Sequence, residues 1–94
     1  MLSTLGPDGA ARLIDKSERL REVTAEVEGM GVKVLQQYAL LGQWDFLNII
    51  EAPDEVTMAR VATILAARGT LKTMTLPAIE VDKLVEALSP PTTI

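Results

Sequence analysis

The stretch VKVLQQYALLGQWDFLNIIEA, residues 32–52, decides the fold of this chain. It contains two runs rich in β-branched and aromatic side chains, one on each side of Gly42-Gln43, and such side chains suit the pleated surface of a sheet. Gly42 supplies the backbone freedom that a tight reversal needs. The stretch therefore predicts a β-hairpin with Gly42 and Gln43 as its loop.

The predicted loop determines which hairpin residues stand opposite each other. One face carries the pairs Leu41/Trp44, Ala39/Phe46 and Gln37/Asn48, and the other carries Leu40/Asp45, Tyr38/Leu47 and Gln36/Ile49. Both faces are mainly apolar, whereas a hairpin with one face in water alternates apolar and polar residues. We therefore expect helices on one face and a second subunit on the other. A register slip of one residue would exchange the two faces.

The segment before the hairpin predicts a short strand and a helix in two pieces, residues 10–14 and 17–28. Residues 1–5 are compatible with a truncated strand, and Gly6-Pro7-Asp8-Gly9 is dense in turn-forming residues. Apolar residues then recur at helical spacing to about Glu28, with a bend near Asp15-Lys16 where Ser17 could serve as an internal N-cap. A single bent helix is the alternative interpretation.

The segment after the hairpin predicts a helix, a strand and a short final helix. Helical periodicity begins after Asp54 and ends near Arg68, with Gly69 as the capping residue. Residues 70–76 alternate in the manner of a strand, and residues 81–88 have helical spacing again. Residues 1–88 are therefore predicted to form one domain, and residues 89–94 a flexible tail.

The order of these elements predicts an α+β fold of the ferredoxin-like split βαβ type. Two βαβ halves joined by a central hairpin give an antiparallel sheet with both crossover helices on one face. The other face would be bare and apolar. Such a face most simply pairs with its copy in a second chain, so we expect a homodimer or larger homo-oligomer.

Composition limits the chemistry and the partners. The 94 residues include no histidine and no cysteine, so the commonest acid/base group and the commonest transition-metal ligands are missing. We predict no metal and no cofactor. The net charge of −4 gives no basic footprint for nucleic acid or an anionic membrane. The first residues lack the pattern of a secretory signal, which makes a cytoplasmic location the default expectation.

Several short motifs together resemble the GYD domain family, whose members are small bacterial and archaeal proteins of the dimeric α/β barrel group. They are residues 3–9 (STLGPDG), 37–46 (QYALLGQWDF), 51–54 (EAPD), 68–69 (RG) and 73–78 (TMTLPA). Gly42, Trp44 and Asp45 resemble the Gly-Tyr-Asp signature, with one spacer and tryptophan for tyrosine. The resemblance implies a ferredoxin-like subunit in a dimeric α/β barrel, and no general activity is assigned to the family.

Two sets of residues are candidates for a site. Asp45 could fix the hairpin loop by accepting backbone N–H groups, or it could act as a general base with Tyr38. Polar residues on otherwise apolar strands could line a ligand pocket, because buried polar atoms need partners. The ligand-binding candidates are Gln36, Tyr38, Trp44, Asn48 and Lys72.

Three hypotheses about function follow. The leading one is a non-catalytic homo-oligomer that assembles through its open sheet face, with room for a small organic ligand at the interface. The first alternative is a cofactor-independent enzyme of the small isomerase or oxygenase type found in the wider barrel group, using Asp45 and Tyr38. The second is a structural scaffold in which residues 81–88 join dimers into larger assemblies.

Overall fold

The computed structural model describes residues 1–6, 11, 13–69 and 71–89. Its strands are β1 (Leu2–Leu5), β2 (Lys33–Ala39), β3 (Phe46–Glu51) and β4 (Leu71–Met74), and its helices are α1 (Arg19–Glu28), α2 (Glu55–Ala67) and α3 (Val81–Leu88). This order confirms the predicted α+β class. The turn predicted at residues 6–9 and the tail predicted at 89–94 fall largely outside the described residues.

The strands form one antiparallel sheet in the order β2-β3-β1-β4. Although β1 has only four residues, it lies inside the sheet and pairs with β3 on one side and β4 on the other. β4 is shorter than predicted, because it ends at Met74 and residues 75–80 have no regular structure. The antiparallel sheet is confirmed, and the dimeric assembly predicted with it is not shown by this structure.

The central hairpin has the predicted register but a wider loop. Gln36, Gln37, Tyr38 and Ala39 stand opposite Ile49, Asn48, Leu47 and Phe46 as the sequence predicts. Beyond these pairs the Leu40 N–H still donates to the Asp45 carbonyl at 2.7 Å, but the ladder contains no Leu41/Trp44 pair, so that predicted pair is wrong. Gly42 has φ +114°, which explains why the reversal requires glycine. A bulge between Val34 and Gln36 leaves Leu35 as an extra residue.

The core lies on one face of the sheet, where α1 and α2 both pack. It consists of Val27 from α1, Val61 and Leu65 from α2, and Val32 at the start of β2, all at most 4% exposed. Burying aliphatic side chains from both helices in one cluster removes the largest apolar area from water. The expectation that both helices cover the same face is confirmed.

The structure confirms one of the predicted helix N-caps and contradicts another. At the start of α2, the Asp54 carboxylate accepts the backbone N–H of Thr57 at 2.7 Å, as an N-cap does. Residues 13–15 are helical and Lys16 is not, so the helix is interrupted before α1 as the two-piece prediction expects. The predicted N-cap Ser17 is wrong, because the cap position is Glu18 and no side chain caps the helix there.

Candidate functional site

The face of the sheet opposite the helices carries a continuous apolar row. Directly paired residues point to the same side of a sheet, and the pairs Tyr38↔Leu47, Leu47↔Leu2 and Leu2↔Met74 cross all four strands. We call this side the open face. By the same pairing, it consists of Leu2, Thr4, Gln36, Tyr38, Leu47, Ile49, Lys72 and Met74.

Large side chains on the open face are exposed to water. Tyr38 is 49% exposed and Met74 45%, and Ile49 is also exposed. Leu35, the extra residue of the bulge in β2, is 54% exposed. Contiguous apolar patches of this kind are uncommon on monomeric proteins and mark surfaces that another molecule covers.

Helix α3 presents a second exposed apolar stripe. Val81, Leu84, Val85 and Leu88 recur at the spacing of one helical face, and each is at least 50% exposed. All eight residues of the helix are exposed. The described part of the chain therefore has two apolar surfaces without a packing partner, one on the sheet and one on α3.

A cavity of about 370 Å³ lies on the other side of the sheet, between α1 and the strands. Most of its walls are apolar, including Leu20 and Val23 of α1 and Phe46 of β3. Its polar wall is a hydrogen-bonded chain. The Gln37 side-chain NH₂ donates to Asn48 Oδ1 and to Thr24 Oγ1, both at 3.0 Å, and the Thr24 hydroxyl donates to the Leu20 carbonyl at 2.9 Å.

Arginines supply the charged side chains among the described residues that line this cavity. Arg19 lies 3.5 Å from Glu22, and Arg68 bridges from the end of α2 to Glu26 on α1. The hydrogen bond from Arg68 holds the pKa of Glu26 below its usual value, and Glu26 raises the pKa of Arg68. None of the described acidic side chains lines the cavity.

The five residues predicted to bind a ligand do not come together in one chain. Gln36, Tyr38 and Lys72 lie on the open face, but Lys72 is on β4 and the other two are on β2, three strand spacings or about 14 Å away. Asn48 is on the helix side and lines the cavity, and half-buried Trp44 lies in the hairpin loop. A shared site for all five stays a prediction.

Asp45 is held by β1. Its carboxylate accepts the Leu5 N–H at 2.8 Å, and its own N–H donates to the Ser3 carbonyl at 2.9 Å. The described residues show no hydrogen bond between Asp45 and Tyr38, the pair predicted to carry acid/base chemistry. The catalytic role of these two residues stays a prediction.

Among residues 1–6, 11, 13–69 and 71–89, no three acidic side chains gather closely enough to hold a metal ion. Within the same ranges, no helix is long and apolar enough to cross a bilayer.

Comparison with known proteins decides the family. Residues 1–88 match the model of the GYD domain. The chain belongs to the GYD domain family. The resemblance carried by the short sequence motifs is therefore confirmed, and it extends over both apolar surfaces and the cavity. No solved structure matches the chain significantly.

One protein that is similar to this GYD domain is named for the proteins that it binds. The chain is 51% identical over 89 residues, 94% of either chain, to a protein of Thermus thermophilus named glutamine synthetase and cystathionine beta-lyase binding protein. The predicted partner, a second copy of the chain, is wrong by this comparison, because the relative is named for binding two other proteins.

Sequence reasoning missed three residues that line the cavity of this GYD domain. Arg19 and Arg68 sit on different helices in a pattern typical of solvated faces, so only their tertiary placement brings them to one cavity. Ser3 is 2% exposed on the helix side of β1. The predicted pairing of Gln37 with Asn48 was a usable signal, because Asn48 is buried and a buried amide needs polar partners such as the Gln37 side chain opposite it.

Proposed function

We propose that the chain is a protein-binding module that docks on another protein through its open face, with glutamine synthetase as the first partner to test and cystathionine beta-lyase as the second. The single observation that carries the proposal is the relative named for binding these two enzymes, which is similar over nearly its whole length. At 51% identity over 94% of both chains, the two proteins are expected to share their fold.

The open face supports this role by its chemistry. The row Tyr38, Leu47, Leu2 and Met74 runs for about 14 Å across the sheet, and Tyr38 and Met74 are each about half exposed. Tyrosine and methionine are enriched at the centres of protein interfaces, because they bury a large area and tolerate varied neighbours. A partner would cover an apolar surface that water otherwise faces.

The stripe on α3 supplies further area for a partner. A stable interface buries about 800 Å² on each side, which is more than the face of a four-stranded sheet with strands of four to seven residues offers. Val81, Leu84, Val85 and Leu88 present a second apolar surface in the same chain. We propose that the partner contacts both the open face and α3.

The strand order also supports assigning the fold to the ferredoxin-like split βαβ type. This fold type carries no activity by itself, so it is compatible with a module that only binds.

The test is to measure binding of the purified chain to glutamine synthetase of the same organism by surface plasmon resonance. Tyr38→Ala and Met74→Lys on the open face are expected to weaken binding at least about tenfold, as central interface residues do. Val56→Lys is the matched control, because Val56 is a 79% exposed apolar residue on α2, on the helix side of the sheet. It should leave the affinity unchanged.

A separate variant tests the contribution of α3. Leu84→Asp places a charge in the middle of its stripe, and Glu86→Gln is a control on the same helix with an exposed polar side chain. Weaker binding by Leu84→Asp alone is expected. Absence of binding to both glutamine synthetase and cystathionine beta-lyase would reject the proposed function. Equal affinities for the Tyr38, Met74 and Val56 variants would reject the open face as the docking surface.

A further inference from the structure

The cavity between α1 and the sheet is a cleft that is partly open to solvent. Concave, mostly apolar clefts are the usual form of small-molecule sites. This cavity, of about 370 Å³, falls at the lower end of the range of about 300 to 1,000 Å³ that is typical of small-molecule sites. Its volume is therefore suited to a small ligand.

The walls of the cavity combine a large apolar part with a small polar cluster. Leu20, Val23 and Phe46 contribute to the apolar part. The polar cluster is the chain Thr24–Gln37–Asn48, which links α1, β2 and β3 by hydrogen bonds of 3.0 Å. Asn48 is 8% exposed and, among the described residues, its carboxamide is engaged through Oδ1. Its NH₂ group provides donors for a bound molecule.

The charged side chains that line the cavity in the described part of the chain are arginines, each of which is also in contact with a glutamate. The chain has a net charge of −4, yet the charged side chains lining the cavity in the described residues are Arg19 and Arg68. Each arginine has five N–H donors, so a contact with Glu22 or Glu26 leaves donors for a second carboxylate. Hydrogen bonds from arginine to carboxylate are among the strongest in proteins. These walls favour an anion over a neutral or cationic molecule.

We propose that this cavity binds a small apolar carboxylic acid. The hydrocarbon part lies between Val23 and Phe46, and the carboxylate reaches Arg19 and Arg68 with the amides of Gln37 and Asn48 beside it. This site is on the opposite side of the sheet from the open face. It is therefore independent of the proposed protein binding and can be tested without any protein partner.

The experiment compares two ten-carbon probes, decanoate and decanol, by isothermal titration calorimetry. Decanoate is expected to bind saturably at one site and at least about tenfold more tightly than decanol, because its carboxylate offers the arginines a negative charge and two acceptor oxygens, whereas the neutral hydroxyl of decanol offers one. Arg19→Gln and Arg68→Gln should each reduce this preference. If decanoate does not bind saturably, or if decanol binds equally well, the proposal is wrong.

A second experiment tests the proposal by filling the cavity with a larger side chain. Val23→Trp places a large ring in the cavity, and Leu20→Trp is the alternative from a 39% exposed position if the first variant fails to fold, as judged by circular dichroism. Either folded variant should lose decanoate binding at least about tenfold. Val56→Trp adds the same ring to an exposed position outside the cavity and should bind as the parent does. Unchanged binding by the cavity-filling variants would overturn the proposal.

Discussion

Asp45 and Leu5 are joined by a hydrogen bond of 2.8 Å between the Asp45 carboxylate and the Leu5 backbone N–H, forty positions apart in the chain. The Asp45 N–H donates in turn to the Ser3 carbonyl at 2.9 Å. Two bonds from one residue therefore attach the hairpin loop to β1. β1 pairs with β3 at only two positions, so these bonds extend the contact between β1 and the hairpin beyond that short ladder.

Replacing Asp45 by alanine is expected to lower the free energy of unfolding by about 1 to 2 kcal/mol, because it leaves the partly buried Leu5 N–H without its acceptor. Asp45→Asn keeps an oxygen at this position and should cost less than alanine. Urea denaturation measures both. Asp15→Ala, at an exposed acidic residue before α1, is the control. Equal stability of the Asp45→Ala variant and the parent would show that the hydrogen bond between the Leu5 N–H and the Asp45 carboxylate contributes nothing to the free energy of unfolding.

Gly42→Ala is expected to destabilise the chain by about 1 to 2 kcal/mol, through backbone strain alone. Gly42 has φ +114°, a backbone conformation that residues with a side chain rarely adopt. A Cβ at this position would meet no atom within 4 Å, so the cost comes from the backbone and not from a steric clash. The neighbouring Gln43→Ala changes the same exposed loop at a residue without positive φ and should be nearly neutral. If both variants melt at the same temperature, the strain argument fails.

The hairpin could be predicted because its signals are local. A glycine between two runs of β-branched and aromatic residues sets the register, and four of the predicted pairs, from Gln36/Ile49 to Ala39/Phe46, are observed. The width of the loop was not predictable in the same way. Asp45 bonds to Ser3 and Leu5 of β1 as well as to Leu40 across the hairpin, and no residue near Asp45 in the sequence indicates that β1 supplies these partners.

The candidate sites depend on packing more than on sequence pattern. The open face follows from alternation once the strand order is known, so Tyr38 and Leu47 could be placed together in advance. The cavity could not, because its volume depends on how far α1 stands from the sheet. Arg19 and Arg68 meet there only through that placement.

The pair Glu26 and Arg68 links α1 to the end of α2 and should give a small stabilisation that depends on pH and salt. Arg68 lowers the pKa of Glu26, so the contribution is complete above the usual glutamate pKa of about 4.3 and is lost as the pH falls through the lowered value. A double-mutant cycle with Glu26→Gln and Arg68→Gln, followed by thermal melting at pH 7 and pH 3, measures it. Coupling that persists unchanged at pH 3 or in high salt would contradict an ionic origin.

The N-cap of α2 offers a second test of pH dependence, because its acceptor is the Asp54 carboxylate and its donors belong to the single residue Thr57. Hydrogen bonds from Thr57 hold the pKa of Asp54 below its usual value, and the backbone N–H of Thr57 lies 2.7 Å from the carboxylate. The folded state therefore gains stability from this cap above the usual aspartate pKa of about 3.9, and loses it as the pH falls through the lowered pKa. Asp54→Ala should lower the melting temperature by a few degrees at pH 7.

Two further variants separate the cap from the general effect of negative charge at a helix start. Asp54→Asn keeps an oxygen that can accept the Thr57 N–H, so it should retain most of the stability at pH 7 while losing the pH dependence. Glu55→Gln removes a neighbouring charge of the first turn without touching the cap, and its effect should be smaller than that of Asp54→Ala. If Glu55→Gln and Asp54→Ala lower the melting temperature equally, helix-dipole electrostatics and not the Thr57 hydrogen bond determines the stability of this end of α2.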